Sequence, residues 1–293
     1  FVRNRQAVSL RGGQTGVIGL IVGDLSSPFY AELTAGMTAA LESQGKMVFL
    51  TQGGKRGEQM LQRFEALVSQ GVDGVVIAGS VDQASELRAK AAETATPLVF
   101  ASRASYLDEV DIIRPDNMQA AQLVTEHLIR RGHQRIAWLG GQSSSLTRAE
   151  RVGGYCATLI KYGLPFHSDW VLECESSQKQ AAEAITALLR HNPTISAVLC
   201  YNSVIAMGAW FGLMRAGKQS GEDSVESYFE QRVALAAFAD VPEAALDDVP
   251  LTWVTTPARE MGHSVAERIL QRIDTGQGAA RNLIMPPRLV ARK

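Results

Sequence analysis

Residues 17–22 read Val17-Ile-Gly-Leu-Ile-Val22, six consecutive positions without a polar side chain. An amphipathic stretch with helical spacing follows at 29–43, and a second apolar run follows at 47–50. Strands that are apolar on both faces and separated by helices are typical of a parallel sheet with helices on both sides. The beginning of the chain therefore predicts a β-α-β unit of an α/β domain.

This alternation continues along the chain and starts again near residue 136. Further strands are predicted at 74–78, 98–101, 112–114, 136–139, 170–172, 197–200, 233–238, 251–254 and 283–285. Further helices are predicted at 57–70, 83–93, 117–131, 148–162, 178–190, 204–216 and 259–273. A chain of 293 residues, of which 46% are hydrophobic, can form two lobes of about 150 residues each. The predicted fold is α/β, with two doubly wound parallel-sheet lobes.

The two lobes are predicted to exchange segments, because the last helix completes the first lobe. The chain would then cross between the lobes near Arg131, Thr256 and Pro286. Residues 218–232 are charged and rich in Ser and Glu, which predicts an exposed loop. The predicted segments are 1–13 as a separate linker, 14–131 plus 257–286 as the N-terminal lobe, and 132–256 plus 287–293 as the C-terminal lobe.

Residues 1–13 fit neither lobe, because they are short, basic and end in glycine. They hold Arg3, Arg5 and Arg11 beside Leu10, with no acidic residue. Cations near phosphates gain free energy by releasing counterions, and an apolar side chain beside cations is typical of a minor-groove wedge. A solvated tail would have the same composition, so these residues alone leave both interpretations open. The first residue is not Met, and we expect an earlier element before it.

Motifs for catalysis and cofactor binding are missing from the sequence. No GxGxxG follows the first strand, no phosphate-binding lysine loop occurs, and the five histidines lack the spacing of metal ligands. Ser143-Ser-Ser145 follows two glycines without completing a nucleophile elbow. We therefore expect no enzyme activity, no cofactor and no metal.

Charge, hydropathy and cysteine content favour an ordinary protein of the cytoplasm. The net charge of −1 means that any contact with nucleic acid must be local. No apolar run approaches the roughly 18 residues of a membrane span, so no membrane contact is expected. Cys156, Cys174 and Cys200 are odd in number and lie in apolar surroundings, which indicates free thiols in a reducing compartment.

Several stretches resemble the LacI/GalR family of bacterial repressors in their order and spacing. They are Ser26-Ser-Pro-Phe-Tyr30, Gly71-Val-Asp-Gly-Val-Val-Ile77, Pro115-Asp-Asn117, His127-Leu-Ile-Arg-Arg-Gly-His-Gln-Arg-Ile136, Arg151-Val-Gly-Gly-Tyr155, Asn202 with Ala206-Met-Gly208, and Pro286-x-Arg288-Leu289. The resemblance covers the whole chain and implies two lobes of the periplasmic-binding-protein type. It also implies a ligand-responsive repressor of a sugar regulon, for which we expect a sugar of the maltose type.

The same resemblance makes residues 1–13 the hinge between a helix-turn-helix headpiece and the body. The hinge residues would be Arg3, Arg5, Leu10 and Arg11, with Leu10 at the position of the family's wedge leucine. Operator DNA would be bound through that headpiece, which this sequence does not contain.

A ligand in such a fold binds between the lobes, at the carboxyl ends of the strands. Arg103 follows the fourth strand, and Arg151 is placed in the first turn of its helix, where a cation opposes the helix dipole. A bidentate grip on vicinal hydroxyls or on a carboxylate would explain such arginines. Thr147 serves equally well as an N-cap. The candidate ligand residues are Ser27, Phe29, Tyr30, Arg103, Thr147, Arg151, Ser176, Asn202, Asp240 and Thr256.

Two positions depart from the family pattern. Ser203 and Ala239 stand where the family commonly has Asp, and Asp240 follows one residue later. Unless Asp240 replaces it, a usual acceptor for sugar hydroxyls is missing. The assignment to an ordinary free hexose therefore stays open.

A homodimer is expected, because a two-fold operator needs two DNA-reading lobes. The helix predicted at 57–70 carries more apolar side chains than one sheet-facing stripe uses. The candidate interface residues are Leu61, Phe64 and Leu67 of this helix, with Leu87 of the next helix. The alternative is that all of them pack on the first sheet.

A sugar-binding receptor of a transport system shares the two-lobe fold and is the alternative function. Residues 1–13 favour the repressor, because a receptor has no use for a basic hinge.

Overall fold

The computed structural model describes residues 12–216, 232–240, 246, 251–276 and 278–291. The predicted hinge residues Arg3, Arg5, Leu10 and Arg11, and positions 218–231 of the predicted charged loop, lie outside these ranges.

Strands and helices alternate along the described chain. The strands are β1 (Val17–Val22), β2 (Met47–Gln52), β3 (Gly74–Ala78), β4 (Leu98–Ala101), β5 (Ile112–Pro115), β6 (Ile136–Leu139), β7 (Val171–Leu172), β8 (Ala197–Cys200), β9 (Ala234–Ala239), β10 (Thr252–Thr255), β11 (Asn282–Met285) and β12 (Arg288–Val290). The helices are α1 (Pro28–Ser43), α2 (Met60–Ser69), α3 (Ala84–Glu93), α4 (Asn117–Arg130), α5 (Leu146–Lys161), α6 (Gln178–His191), α7 (Ser203–Arg215) and α8 (Ala258–Thr275).

The chain forms two compact units and enters each of them twice. The first unit extends to Pro115 and takes in Pro257–Met285, and the second holds Asp116–Thr256 and resumes at Pro286. Each unit contains one six-stranded sheet, in the order β11-β5-β4-β3-β1-β2 in the first unit and β12-β10-β9-β8-β6-β7 in the second. The α/β fold with two wound sheets is the one that the sequence predicts.

The predicted boundary near Arg131 is wrong, because α4 belongs to the second unit. Asp116 caps this helix by accepting a hydrogen bond from the backbone N–H of Gln119, at 3.0 Å. Ala121 and Val124 of α4 are completely buried in a hydrophobic cluster of the second unit. Hydrophobic spacing predicts this helix correctly but does not show which of the two sheets it covers.

Strand β1 lies in the interior of the first sheet, and this position explains why its sequence is apolar. It pairs in parallel with β2, with Val17 opposite Met47, and with β3, with Ile18 opposite Gly74. All six residues of β1 are buried, as expected for a strand that has neighbours on both edges and helices on both faces. The second sheet differs at one edge, where β12 runs antiparallel to β10.

Glycines allow the helices that cover the sheets to touch through their backbones. A Cβ atom added at Gly262 of α8 would lie 2.2 Å from the carbonyl oxygen of Leu33 in α1. At Gly208 of α7 it would lie 2.4 Å from the carbonyl oxygen of Gln178, at the start of α6. At Gly154 of α5 it would lie 2.5 Å from the carbonyl oxygen of Met118 in α4. These three positions therefore have no room for a side chain.

Two adjacent glycines of α5 give a matched test of this close packing. Gly154→Ala should lower the free energy of unfolding of the second unit by about 1–3 kcal/mol, because the methyl group meets backbone that cannot move aside. Gly153→Ala should leave it unchanged or raise it by up to about 1 kcal/mol, because its Cβ would meet only the methionine side chain, 3.5 Å away. Equal effects of the two substitutions would contradict this account.

Urea unfolding followed by tryptophan fluorescence is the measurement. The chain has four tryptophans, and all of them lie in the second unit. They are Trp138, Trp170, Trp210 and Trp253. The fluorescence signal therefore reports unfolding of the second unit.

Candidate functional site

The first unit gathers aromatic and polar side chains where β1 and β4 end. Arg103 follows β4, and its guanidinium lies over the rings of Phe29 and Tyr30, 5.0 and 6.0 Å from their centroids. One of its terminal nitrogens, Nη2, donates a hydrogen bond to the hydroxyl of Ser27, at 3.0 Å. Ser27 occupies the N-cap position of α1, but its hydroxyl makes no capping bond to the helix. That hydroxyl orients Arg103.

The structure corrects the role predicted for Phe29. Its side chain is completely buried in the core of the first unit, in a cluster with Leu33 and Met37. Tyr30 is half-buried, and its ring meets that of Phe29 edge to face, with centroids 5.0 Å apart. Phe29 therefore supports Arg103 from the core side, and Tyr30 is the more accessible of the two rings.

The second unit holds its own stacked arginine. The guanidinium of Arg151 lies between two aromatic rings, 4.3 Å from the centroid of Phe238 and 5.2 Å from that of Tyr201. Its Nη1 donates a hydrogen bond to the backbone carbonyl of Tyr201, at 2.8 Å, and the residue is buried. The rings fix the plane of the guanidinium, and a planar fork of donors suits two adjacent oxygen atoms.

The start of α5 differs from the sequence prediction. The helix begins at Leu146, and Ser145 is its N-cap, with a side chain that accepts a hydrogen bond from the backbone N–H of Arg148. Thr147 is therefore inside the helix and buried, so its predicted capping role is wrong. Arg151 lies in the second turn and not in the first, which weakens the argument from the helix dipole.

Asn202 joins two of the predicted ligand residues. Its side-chain oxygen caps α7 by accepting a hydrogen bond from the backbone N–H of Ile205, at 3.0 Å. Its amide nitrogen donates to the hydroxyl of Ser176, at 2.8 Å. Asp240 and Thr256 directly follow the parallel strands β9 and β10, and the backbone N–H of Thr256 donates to the carbonyl of Ala239. Both residues are half-buried.

The predicted ligand residues thus form two groups, one in each unit. Ser27, Phe29, Tyr30 and Arg103 form the group of the first unit. The group of the second unit follows the carboxyl ends of its strands and comprises Thr147, Arg151, Ser176, Asn202, Asp240 and Thr256. Polar side chains in this position are typical of ligand sites in α/β proteins.

Sequence reasoning missed three residues of the second group. Tyr201 and Phe238 hold Arg151, and Nε of Arg148 donates to the carbonyl of Gly140, at 3.0 Å. Tyr201 directly precedes Asn202, and Phe238 lies near the end of β9. An aromatic residue at the end of a buried strand is the signal that could have identified them.

The described residues offer no metal centre. They contain no group of three or more His, Cys, Asp and Glu side chains that could hold a metal ion. The three cysteines are free, and complete burial raises the pKa of the Cys200 thiol well above its ordinary value. A buried neutral thiol is a poor nucleophile and a poor metal ligand.

Three of the four predicted dimer residues lie in the core. Phe64 and Leu87 are completely buried and Leu67 is nearly so, in one cluster with β3 residues such as Val75. The alternative that they pack on the first sheet is therefore correct, because α2 and α3 both cover the same face. Leu61 is half-buried beside this cluster.

Other apolar side chains are exposed. On the edge strand β2 they are Met47, Phe49 and Leu50, and on α7 they are Val204, Phe211 and Met214. Among the described residues, no helix has both the length and the apolar character that a membrane crossing requires.

Comparison with known proteins identifies the family. A sequence profile described as periplasmic binding proteins and sugar binding domain of LacI family matches residues 15–293. The chain belongs to the LacI family. Among its relatives is the maltose regulon regulatory protein MalI of Escherichia coli K12, 72% identical over 293 residues, which are all of this chain and 86% of MalI. The transcriptional repressor PurR of Aliivibrio fischeri ES114 is 27% identical over 288 residues, which are 98% of this chain and 83% of PurR.

Solved structures of the family have the same fold. The Lac repressor dimer bound to operator and the anti-inducer ONPF superimposes with a TM-score of 0.83 at 23% identity, covering 100% of this chain and 98% of the other. The complex of the regulator CelR with cellobiose gives a TM-score of 0.78 at 24% identity, covering 98% and 88%. The predicted family and fold class are confirmed.

Asn202 gives a test that separates its two hydrogen bonds. Asn202→Ala should lower the free energy of unfolding of the second unit by about 1 kcal/mol, because α7 loses its cap. Asn202→Asp should keep most of the stability, because a carboxylate also caps a helix, while it loses the donor to Ser176. Urea unfolding followed by tryptophan fluorescence checks this, and an Ala variant as stable as the Asp variant would contradict the capping role.

Proposed function

We propose that the chain is the effector-binding and dimerisation body of a repressor that controls genes for a maltose-type sugar. One observation carries this proposal: each unit presents an arginine stacked on aromatic rings where its strands end. The 72% identity to a maltose regulon regulator supports the choice of sugar. Relatives of this chain are transcriptional regulators, which favours this function over a transport receptor and over an enzyme.

Both groups supply contacts to the effector in this proposal. Arg103 and Arg151 each donate to adjacent hydroxyl oxygens of the sugar, and Tyr30 and Tyr201 contact its apolar faces. Asp240 accepts from a hydroxyl, in place of the Asp that the family commonly has one residue earlier. Planar donors held by aromatic rings lose little conformational freedom on binding, which favours affinity for a small polar ligand.

Two surfaces fit a second copy of the chain. The edge strand β2 leaves Met47, Phe49 and Leu50 exposed, and α7 leaves Phe211 and Met214 exposed. Exposed apolar side chains on an open sheet edge promote association unless a partner covers them. We assign the dimer interface to these surfaces in place of the residues of α2 and α3.

Operator DNA is the second partner. Residues 1–11 carry the cations for phosphate contact, and a helix-turn-helix before them reads the bases in this proposal. A symmetric dimer places two such readers on a two-fold operator. Because its partner is the operator, the repressor works in the bacterial cytoplasm.

Calorimetry with maltose tests the effector site. The wild-type chain should bind maltose, and Arg151→Ala should weaken binding about tenfold or more, because charge-assisted hydrogen bonds to the sugar are lost. Arg103→Ala, in the other unit, should act in the same way. Arg190→Ala, at an exposed arginine of α6, is the control and should change nothing. Unaltered affinity in the two site variants would refute the assignment, and a wild type that binds neither maltose nor related glucosides would refute the effector class.

Analytical ultracentrifugation tests the dimer. The wild-type chain should sediment as a dimer at micromolar concentration, and Phe49→Glu or Phe211→Glu should shift it to the monomer, because an interface core cannot bury an unpaired carboxylate. Ile160→Glu is the matched control, since Ile160 is 74% exposed on α5 and belongs to neither surface. A wild-type monomer, or dimers in both variants, would remove these surfaces from the proposal.

A further inference from the structure

The first described residues are tied to the first unit by one carboxylate. Asp73 lies in the turn between α2 and β3. Its two oxygens accept hydrogen bonds from the backbone N–H groups of Thr15 and Gly16, both at 2.8 Å. The Thr15 hydroxyl lies 3.0 Å from Asp73 Oδ1 and 2.8 Å from the carbonyl oxygen of Gly71, in the same turn. We call these contacts the Asp73 clamp.

The clamp continues directly into the core of the unit. The backbone N–H of Asp73 donates to the carbonyl of Val17, the first residue of β1, at 2.8 Å. The carbonyl of Gly16 accepts from the N–H of Met47, the first residue of β2, at 2.9 Å. Thr15 and Gly16 are therefore fixed relative to three strands.

The described residues that precede the clamp are exposed. Residues 12–14 line part of an open cavity of about 870 Å³. A Cβ atom added at Gly12 would meet nothing within 4 Å, and the backbone there has φ = +76°, which favours glycine. Among the described residues, the clamp is thus the first point at which the chain is fixed to the unit.

We propose that Asp73 is a positioning residue for specific DNA binding, an inference that rests on the proposed function. It fixes the backbone of Thr15 and Gly16, which the segment that carries Arg3, Arg5 and Leu10 precedes in the sequence. Reading of bases depends on the register of the DNA-reading segment, whereas attraction to phosphates depends mainly on its charge. Loss of the clamp should therefore lower specific binding and spare non-specific binding.

Four variants of the full-length protein isolate the clamp. Asp73→Ala removes both acceptor oxygens, and Thr15→Val removes the hydroxyl while both backbone bonds remain. Thr15→Ser keeps every contact and serves as the conservative rescue. Asp108→Ala removes an exposed carboxylate of the same unit and serves as the control. An operator is first selected from random-sequence DNA by the wild-type protein.

Fluorescence anisotropy at fixed salt then gives affinities for the operator and for poly(dI-dC). Asp73→Ala should bind the operator about tenfold more weakly or worse, because two charge-assisted hydrogen bonds are lost, and should bind poly(dI-dC) within about twofold of the wild type. Thr15→Val should lose less, and Thr15→Ser and Asp108→Ala should match the wild type. An unchanged ratio of the two affinities in both Asp73→Ala and Thr15→Val overturns the proposal. If Asp73→Ala does not fold, Thr15→Val alone decides.

A nitroxide label distinguishes failure of this proposal from failure of the proposed function. A wild type that selects no operator refutes the DNA-binding function. The label at Gln14→Cys, in a Cys156→Ser background because Cys174 and Cys200 are buried, then reports on the clamp alone. Its spectrum should sharpen in Asp73→Ala and remain unchanged in Asp108→Ala. An unchanged spectrum in Asp73→Ala overturns the proposal.

Discussion

A parallel sheet buried on both faces needs two layers of helices, and in each unit at least one pair of these helices packs through backbone contact. Gly262 brings α8 against α1 in the first unit, and Gly154 and Gly208 bring α5 and α7 against their partners in the second. Any larger side chain at these positions would separate a helix pair by more than the core could fill. The spacing of the strands is then fixed, and so are the positions of the residues that follow their carboxyl ends.

The stacked arginines depend on this arrangement. Arg103 rests on a ring that belongs to the core of the first unit, and Arg151 rests on Phe238, a residue of strand β9. A guanidinium over an aromatic face keeps its charge and its edge of donors while its plane is fixed, at a gain of about 0.5–2 kcal/mol. Phe29 and Phe238 thus join the core to the site, because each ring belongs to the core and also contacts a guanidinium.

Hydrophobic spacing could predict the eight described helices and every described strand except β12, because burial on both faces leaves a local trace in the sequence. The sequence could also predict the arginines, because cations stand out in apolar surroundings. It could not predict the unit to which α4 belongs, because the amphipathic pattern of a helix is the same whichever sheet it covers. Phe64 and Leu87 show a related limit. A helix on a sheet buries a wide face, so an excess of apolar residues does not by itself indicate a partner.

The burial of Phe29 could not be predicted, because the sequence does not show in which direction a side chain points. Phe29 and Tyr30 are adjacent, and the sequence does not show which of the two rings lies in the core. Ser145 was missed as a cap because Thr147 offered an equally good pattern two residues later. Tyr201 and Phe238 are far from Arg151 in the sequence, so they become recognisable once the fold brings the three together.

The order in which the units are completed has a consequence for biosynthesis. The first unit begins with β1 but lacks α8 and β11 until residue 285 has been made, and β12 of the second unit comes later still. A growing chain that has reached Thr256 would leave the face of α1 that α8 covers exposed, although most of both sheets already exists. Such partly covered surfaces are prone to misassembly during translation. The residues after Thr256 are therefore needed to complete both units, and a premature stop between Pro257 and Met285 would leave both of them unfinished.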